Sequence, residues 1–533
     1  MNRRERAIER LGAERFDVVI VGGGINGAIC ALALASHGLS VGLVERHDFA
    51  SGTSQESSNL IWGGFKYLEG YEVRLVADLC ASRNRLGRAF PTRLNETRVV
   101  ATLDRSSPYS PAFATIGAMA YWGLGRFHTL PPRHRSASAI HRLEPAVDGS
   151  DVRGGIEYSD YVLVDNDARF VSEFVVDAAR RGAAVANYIE LAAAEHGAGE
   201  WRLSVRDSRS GHAFEIAASV LVNTAGPRAA AVGARIASVT EHHTVFSKGV
   251  HLVVPRITES RRVLAFYDDS HRLFYVIPMG HRSCIGTTDT TTDDPDEAVT
   301  DADRNAVLEQ VNKRLATEHR LTVDDIIAER CGVRALVLRP GEQTAGREWT
   351  ELSRRHVVEV DEARRVVTVL GGKLSDCLNV GVEVVDAVRS LRLGAIHDAG
   401  DWYGEPPRPA RDDFLRRAAA VGLDRPCEVD AAPSVGALLW RRYGRRAAEV
   451  VELVRTEPEL GAPITELDDY CAAELQIAAR DEWIVTLDDF LRRRSMLAQL
   501  NRPKALCADP GLERAAEILL GPAGLEEFQR MQV

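Results

Sequence analysis

A short apolar run, FDVVIV at residues 16–21, opens the first clear pattern in the chain. Its β-branched residues predict a buried parallel strand. The turn GGGING follows at 22–27, and the apolar segment 28–38 then predicts a helix. A second apolar run, 39–45, ends on Glu45. This order of strand, glycine turn, helix, strand and acid predicts the first βαβ unit of a dinucleotide-binding fold.

Each part of this unit has a role toward a dinucleotide. Gly22 permits a tight turn, Gly24 lets the backbone approach a pyrophosphate, and Gly27 lets the helix pack closely on the strand. The helix N-terminus offers N–H groups to phosphate oxygens. Glu45 is placed to accept hydrogen bonds from a ribose. A glycine-rich turn without any ligand is the alternative interpretation.

The segment after Glu45 favours FAD over NAD. Residues 46–76 show no second alternation of strand and helix; they form a long polar stretch with small residues and the pair Gly63-Gly64. Such a stretch can follow an extended cofactor, because its hydroxyl and backbone N–H groups can bind phosphates and a ring. The candidate cofactor contacts in this stretch are Thr53, Ser54, Ser58, Gly63 and Gly64.

Two later apolar runs, 219–227 and 366–376, also end in small residues. At the carboxyl edge of a sheet, small residues bring the backbone close to a ligand. The candidate cofactor contacts here are Thr224, Ala225, Gly226, Gly371, Gly372, Lys373 and Leu374. The separated pieces predict one discontinuous FAD-binding domain, formed by residues 15–75, 155–235 and 357–400.

The rest of the chain predicts two further domains. Runs rich in β-branched and aromatic residues, at 251–257, 262–268 and 273–279, predict an antiparallel sheet that covers the substrate. This substrate-binding domain is predicted over residues 76–154 and 236–356. After a proline-rich boundary the pattern becomes helical and predicts a C-terminal α-helical domain over residues 409–533. The predicted fold class is α/β, with a Rossmann-like cofactor domain.

Residues 106–125 carry no formal charge, and a segment of that length could span a bilayer. Pro108 and Pro111, together with three serines and three glycines, argue against a spanning helix. Two interpretations stay open. One is a surface segment that dips into a membrane interface, and the other is a buried helix with its loop.

Composition excludes several classes of protein. With 533 residues, 45% of them hydrophobic, the chain suits a soluble globular protein of two to four domains. A net charge of −10 argues against nucleic acid as the main partner. The eight cysteines contain no CxxC pair, so no metal site is predicted. Scattered cysteines and charged first residues without an apolar segment after them predict a cytoplasmic location.

Only five of the 66 basic residues are lysines. Where a sequence uses arginine at almost every basic position, a lysine suggests a role that arginine does not meet. Three of the five, Lys66, Lys248 and Lys373, fall inside the motifs quoted below.

Several motifs, in order, resemble the FAD-dependent glycerol-3-phosphate dehydrogenases. The family's turn GGGINGAG corresponds to GGGINGAI at 22–29, and its segment TSxxSSKLIHGGLRYLE corresponds to TSQESSNLIWGGFKYLE at 53–69. Later matches are EYSD (157–160), VDNDAR (164–169), LVNTAGP (221–227), SKGVHLVVPR (247–256), IGTTDT (285–290), GVR (332–334), GGKL (371–374) and ARDEWIVTLDDFLRRR (479–494). The resemblance covers residues from about 15 to about 500.

The resemblance implies both fold and chemistry. It implies an FAD-binding domain of the glutathione-reductase or D-amino-acid-oxidase type. It implies that FAD takes a hydride from C2 of sn-glycerol 3-phosphate, or a related polyol phosphate, and that the electrons pass to a membrane quinone or to O₂. It also implies a peripheral position on the inner face of the cytoplasmic membrane. The oligomeric state stays open, with a homodimer as one alternative.

A dianionic substrate needs a cationic pocket, and oxidation of a secondary alcohol needs a base for the hydroxyl proton. The catalytic candidates at positions that match the family are Lys66, Tyr67, Arg334, Arg354 and Lys373.

The chain also departs from the family pattern. Trp62 replaces a His, Lys66 an Arg and Asn59 a Lys, and the residues after GGKL are Ser375-Asp376-Cys377-Leu378 instead of Thr-Thr-Tyr-Arg. Asp376 would repel a phosphate unless it faces away. Two alternatives therefore stay open: an FAD-dependent oxidase or dehydrogenase of a different hydroxy compound, and a flavoprotein without catalytic activity.

Overall fold

The structure is a computed structural model that describes residues 2–316, 320–341, 355–393 and 396–532. Its strands, numbered in chain order, are β1 (Arg15–Val21), β2 (Val41–Val44), β3 (Leu60–Ile61), β4 (Leu94–Asp104), β5 (Arg133–Arg135), β6 (Val152–Leu163), β7 (Ala184–Ala186), β8 (Ile189–Gly197), β9 (Glu200–Asp207), β10 (Ala213–Asn223), β11 (His243–Pro255), β12 (Val263–Tyr267), β13 (Leu273–Met279), β14 (Arg282–Gly286), β15 (Thr290–Thr292), β16 (Ala328–Leu338), β17 (Val357–Asp361) and β18 (Val366–Leu370).

The α-helices are α1 (Arg3–Ala13), α2 (Ile25–Ser36), α3 (Val73–Ala89), α4 (Pro111–Leu124), α5 (Ala137–Leu143), α6 (Asp167–Arg180), α7 (Ala229–Arg235), α8 (Asp301–Asn312), α9 (Cys377–Ser390), α10 (Arg408–Ala419), α11 (Val435–Tyr443), α12 (Ala447–Thr456), α13 (Ala472–Asp481), α14 (Leu497–Leu500), α15 (Pro503–Ala508), α16 (Pro510–Leu520) and α17 (Pro522–Gln532).

The first sheet has the order β17-β18-β10-β1-β2-β7, and β8 and β9 extend it beside β10. Its central strands run parallel: β1 pairs with β10 and β2, and β10 pairs with β18. The strands are almost continuously apolar because helices cover the sheet. α2 and α9 pack against one another over it, and their buried side chains form one core with those of α6. This is the predicted cofactor-domain architecture, and the α/β fold class is confirmed.

The second sheet has the order β15-β11-β14-β13-β12-β4-β6-β3, with β16 beside β11 and β5 beside β6. The predicted strands at 251–257, 262–268 and 273–279 correspond to parts of β11, β12 and β13. β12 pairs antiparallel with β13 but parallel with β4, so the sheet is mixed rather than wholly antiparallel.

Sheet membership differs from the predicted domain boundaries at two places. β3 and most of β6 fall in ranges predicted for the cofactor domain, yet they pair with each other, and β6 pairs with β4, in the second sheet. Strand partners far apart in sequence decide which sheet a strand joins.

The C-terminal helices dock on the loop that follows β2. Asp48 of that loop is fully buried, and its carboxylate accepts hydrogen bonds from Arg493 (2.7 Å) and Arg494 (2.8 Å), which are also buried. Removing one partner of such a buried pair typically costs about 3–5 kcal/mol. The helical domain therefore fixes the polar loop that leads into the candidate site. In the described part of the chain, no helix is both long and apolar enough to cross a bilayer.

Candidate functional site

A cleft of about 730 Å³ opens at the carboxyl ends of the parallel strands, between the two sheets. Its first-sheet side begins where β1, β2, β10 and β18 end, and its second-sheet side includes residues of β11, β13 and β16. A cleft at this edge is where doubly wound sheets bind ligands. The predicted site residues that line it are Gly22, Gly24, Glu45, Thr53, Ser54, Ser58, Thr224, Ala225, Gly226, Arg334, Gly371, Gly372, Lys373 and Leu374.

The glycine turn combines close packing with open space. Gly22 has φ +107°, a conformation that favours glycine. A Cβ on Gly27 would lie 1.8 Å from the carbonyl oxygen of Gly22, so only glycine lets α2 approach β1 there. A Cβ on Gly24 would instead meet only the Ser54 hydroxyl, at 3.1 Å. The backbone of Gly24 is therefore uncovered on the side that faces the cleft, where α2 begins.

The acid at the end of β2 supports this turn directly. One carboxylate oxygen of Glu45 accepts a hydrogen bond from Gly23 N (2.7 Å), and the other accepts one from His47 N (2.9 Å). Glu45 lines the cleft as well. Its carboxylate is thus fixed in position before any ribose is bound.

The predicted hydroxyl residues are partly engaged with the protein itself. Thr53 Oγ1 donates to the carbonyl oxygen of Val333 (2.7 Å), which ties the polar loop to β16. Ser54 Oγ accepts from Ile25 N at the start of α2 (3.0 Å). Thr224 Oγ1 donates to the carbonyl oxygen of Gly22 (2.9 Å). These three side chains hold the cleft walls together.

The loop after β18 brings a cation into the cleft. Gly371 (φ +67°) and Gly372 (φ +104°) turn the chain, and Asn26 Nδ2 donates to the carbonyl oxygen of Gly371 (3.0 Å). Lys373 Nζ then donates to the Tyr67 hydroxyl (3.1 Å) and lies 4.8 Å from the Tyr67 ring centroid. Trp62, which lines the cleft, has its ring centroid 6.0 Å from the same ammonium group.

Some predicted site residues lie outside the cleft lining. Gly63 and Gly64 lie behind it: Gly63 N donates to Asp160 (3.2 Å), and a Cβ on Gly63 would lie 2.2 Å from the Tyr121 hydroxyl. Gly63 packs on a buried cluster of Arg83, Asp160 and Tyr121, in which Tyr121 donates to Asp160. Gly64, with φ +85°, packs against Leu79 and Tyr67.

Lys66 and Tyr67 lie on a 3₁₀ turn, Phe65–Leu68. Tyr67 is buried and reaches the site through Lys373, whereas Lys66 lies near Glu69 instead of lining the cleft. Arg354 lies outside the described residues.

Arg334 projects into the cleft from β16. Its Nη2 donates to Thr287 Oγ1 (3.4 Å), and its Nη1 lies 3.7 Å from the Asp289 carboxylate. A Cβ on Gly249 would lie 2.3 Å from Arg334 Nη2, so glycine at 249 makes the room that the guanidinium occupies. Sequence reasoning missed Gly249, although it stands within the SKGVHLVVPR motif.

His251 is the second missed residue, and it stands in the same motif. It lines the cleft from β11 and is only 3% exposed. Its Nδ1 makes no hydrogen bond to any described residue. Burial, and then the positive charges of Arg334 and Arg330, lower the pKa of His251 to about 3. His251 is therefore a neutral imidazole in the wall of the cleft, and its unpartnered Nδ1 is enclosed by protein.

Asp376, the acid that would repel a phosphate, faces away from the cleft. Its carboxylate pairs with His356 Nδ1 (2.7 Å) and accepts a hydrogen bond from Ser82 Oγ (3.0 Å). Lys373 and Arg334 thus line the cleft, while this neighbouring carboxylate pairs with His356 behind it.

Comparison with known proteins gives a consistent result. Residues 17–374 match the family model described as FAD dependent oxidoreductase, and residues 414–522 match the C-terminal domain of alpha-glycerophosphate oxidase. Glycerol-3-phosphate dehydrogenase 2 of Mycobacterium tuberculosis is 32% identical over 512 residues, which are 93% of this chain and 83% of that protein. The mitochondrial glycerol-3-phosphate dehydrogenase of Mus musculus is 27% identical, over 97% of this chain and 72% of its own.

Two solved structures share the fold. Glycerol-3-phosphate dehydrogenase from Bacillus halodurans, complexed with FAD, superposes with a TM-score of 0.74 at 22% identity, over 100% of this chain and 96% of that one. L-alpha-glycerophosphate oxidase from Mycoplasma pneumoniae, with FAD bound, gives a TM-score of 0.56 at 16% identity, over 74% of this chain and 99% of that one.

Proposed function

The chain belongs to the family of FAD-dependent glycerol-3-phosphate dehydrogenases, and from that premise we propose that it oxidises sn-glycerol 3-phosphate to dihydroxyacetone phosphate. The observation that carries this proposal is the grouping of His251, Arg334 and Lys373 around one cleft. A neutral base and two cations are what the oxidation of a phosphorylated alcohol requires.

FAD is the cofactor of this family, and the residues present fit it. Gly24 leaves room for a pyrophosphate at the start of α2, because a side chain there would fill the space where backbone and phosphate meet. Glu45 presents a fixed carboxylate to a ribose. The loop Gly371–Leu374 and the residues of the second sheet that line the cleft would hold the flavin ring. FAD, when bound, supplies the hydride acceptor.

In the proposed reaction, Arg334 binds the phosphate through its guanidinium fork, and Lys373 adds a second positive charge. His251 accepts the proton of the C2 hydroxyl as the hydride leaves C2, so the alcohol becomes a ketone. Trp62 and Tyr67 form an aromatic wall beside Lys373 that excludes water. An indole cannot accept a proton, so Trp62 leaves the role of base to His251.

An anaerobic reduction assay tests this function. Glycerol 3-phosphate added to the purified holoenzyme should bleach the flavin absorbance, whereas unphosphorylated glycerol at the same concentration should not. Bleaching only by a different hydroxy compound would show another substrate. A flavin that dithionite reduces but no alcohol reduces would indicate a flavoprotein without this activity.

Arg334→Ala should raise the KM for glycerol 3-phosphate, because charged hydrogen bonds to a phosphate are each worth about 1.5–3 kcal/mol. A loss of that size corresponds to a fall in kcat/KM of roughly 10- to 100-fold. FAD content should stay unchanged. Steady-state kinetics with glycerol 3-phosphate measure the effect, and an unchanged KM would refute a phosphate-binding role. Arg339→Ala, at the end of the same segment but outside the cleft lining, is the matched control.

We also propose that the enzyme works at the surface of a membrane and passes its electrons to a quinone there. The support comes from α4, whose outer side chains Phe113, Ile116 and Met119 are 58%, 68% and 48% exposed. Other large apolar side chains, Phe127 and Leu130, are exposed just beyond the helix. We call these five residues the α4 face. The exposed arginines Arg126 and Arg133 suit anionic headgroups at its edge.

Replacing both Phe113 and Ile116 by Asp should abolish flotation with liposomes that contain anionic lipid, because apolar area and charge at the interface drive such binding. Trp122 is the poorer choice for this test, since its indole N–H donates to the carbonyl oxygen of Thr129 within the fold. Val239→Asp, at a site 89% exposed outside the α4 face, is the control and should float like the parent. Equal flotation of all three proteins would remove the α4 face as a membrane contact.

The electron acceptor is tested separately. The substrate-reduced enzyme should be reoxidised faster by a short-chain quinone than by air-saturated buffer. Faster reoxidation by O₂ would make the enzyme an oxidase instead.

A further inference from the structure

The residue that ends the cleft-lining loop is an acid with an unusual set of partners. Gly371–Ser375 line the cleft, Asp376 follows, and α9 begins at Cys377. Asp376 N donates to the carbonyl oxygen of Lys373 (2.9 Å), so the acid belongs to the same tight turn as the cleft cation. Any charge on Asp376 therefore lies close to the positive N-terminal end of α9 and to the Lys373 backbone.

Three side chains converge on this carboxylate. His356, just before β17, contacts Asp376 Oδ2 through Nδ1 at 2.7 Å. Ser82 Oγ on α3 and Asn379 Nδ2 on α9 donate to Oδ1. On the other side of the imidazole, His356 Nε2 lies 3.1 Å from the carboxylate of Glu383. The His356 and Asp376 side chains are only 6% and 13% exposed, whereas that of Glu383 is 53% exposed.

These contacts fix the ionisation of the pair. Burial by itself would lower the pKa of His356, but its hydrogen bonds to Asp376 and Glu383 raise it to about 9. Burial opposes ionisation of Asp376 as well, but the hydrogen bond to His356 and then its positive charge lower the pKa of that carboxyl. At neutral pH the pair is an imidazolium and a carboxylate, with no net charge.

We propose that His356 is a positioning residue that holds the Gly371–Ser375 loop and cancels the charge of Asp376 behind the flavin end of the cleft. The proposal rests on the placement of the flavin ring against this loop. Reduction adds negative charge to a flavin, and the N-terminus of α9 and Lys373 favour that charge. An uncompensated carboxylate at the same turn would oppose the negative charge on the reduced flavin, since buried charges are weakly screened.

The test is the midpoint potential of the bound flavin, measured by slow chemical reduction against a reference dye. No substrate is involved, so the result stands even if glycerol 3-phosphate does not reduce the enzyme. His356→Gln keeps a polar side chain but leaves Asp376 unbalanced. Its flavin should be harder to reduce, with a reduced-to-oxidised ratio about threefold to tenfold lower than in the parent at a fixed potential.

The double substitution separates charge from packing. Asp376→Asn alone should not lower the potential, because it removes the carboxylate charge while His356 keeps Glu383 as a partner. His356→Gln combined with Asp376→Asn should restore the parent potential. A merely structural role predicts that the double variant is at least as perturbed as either single one, and that outcome would overturn the proposal. Glu383→Gln, which removes an exposed carboxylate from the same imidazole, is the control and should shift the potential little.

The pH dependence gives a second readout in the unmodified enzyme. A folded pKa of about 9, above the usual value for histidine, means that the ion pair is present at neutral pH and is lost as pH rises through 9. The carboxylates that contact His356 are those of Asp376, just before α9, and Glu383 of α9. Arg355, its chain neighbour, pairs with Asp78 of α3, and Arg85 of α3 donates to Asn379. The parent potential should fall with an added inflection near pH 9 that His356→Gln lacks; the same curve in both proteins would refute the proposal.

Discussion

Gly24→Val is expected to give a folded protein that purifies without FAD. Within the protein, a Cβ at this position would meet only the Ser54 hydroxyl, at 3.1 Å, so a small shift of that side chain accommodates it. The branched side chain would instead fill the space in front of the α2 N-terminus, where the pyrophosphate must approach the backbone N–H groups. Loss of the cofactor without loss of the fold is therefore the expected result.

The measurement is the ratio of flavin to protein absorbance, with thermal unfolding and far-UV circular dichroism as tests of the fold. FAD occupancy should fall below about a tenth of the parent value, since a phosphate that loses two charged or backbone hydrogen bonds loses at least about 1.4 kcal/mol for each. Gly197→Val, where no atom lies within 4 Å of the added Cβ, is the matched control and should stay yellow. A yellow Gly24→Val variant would show that the pyrophosphate binds elsewhere.

Gly27→Ala gives the informative contrast, because its Cβ would collide with backbone and not with a ligand. The carbonyl oxygen of Gly22 lies 1.8 Å from that Cβ, so α2 would have to move off β1. Both the melting temperature and the FAD content should fall. The two glycines of one motif thus differ in kind: one shapes the cofactor site, and the other holds the helix against the sheet.

The first βαβ unit could be predicted from sequence because its information is local. Strands, turn and acid follow one another within 30 residues, and the predicted strand at 16–21 corresponds to β1. The role of Gly63 could not be predicted in this way. It depends on a buried cluster of Arg83, Asp160 and Tyr121, and nothing in the sequence shows that these three residues meet.

Asp376 illustrates the same limit for charge. From the sequence it is an acid close to a phosphate pocket, and repulsion is the natural expectation. Only the fold brings His356 and Ser82 to its carboxylate and turns it away from the cleft.

A lone histidine within an apolar strand, such as His251 in β11, is likewise more typical of a core residue than of a base. Its role depends on which face of the strand meets the cleft.

His251→Ala is expected to lower kcat by about 100- to 10,000-fold, the range that a positioned general base contributes. The imidazole is 3% exposed, its Nδ1 is unpartnered among the described residues, and burial keeps its pKa far below neutrality. The low pKa means that the imidazole is unprotonated at neutral pH, while burial and Arg334 also oppose the positive charge that it gains when it takes up the proton. FAD content and the KM for glycerol 3-phosphate should change little, because phosphate affinity comes from the cations.

Rapid-reaction measurement of flavin bleaching under anaerobic conditions separates this step from reoxidation. His243→Ala is the matched control, since His243 is an exposed histidine at the start of the same strand and lies outside the cleft lining; its bleaching rate should equal that of the parent. His251→Gln should be almost as slow as the alanine variant, because an amide of similar size cannot take up the proton. If His251→Gln bleached at the parent rate, the imidazole would serve only to fill space, and the proton of the C2 hydroxyl would have to leave through Lys373 and Tyr67.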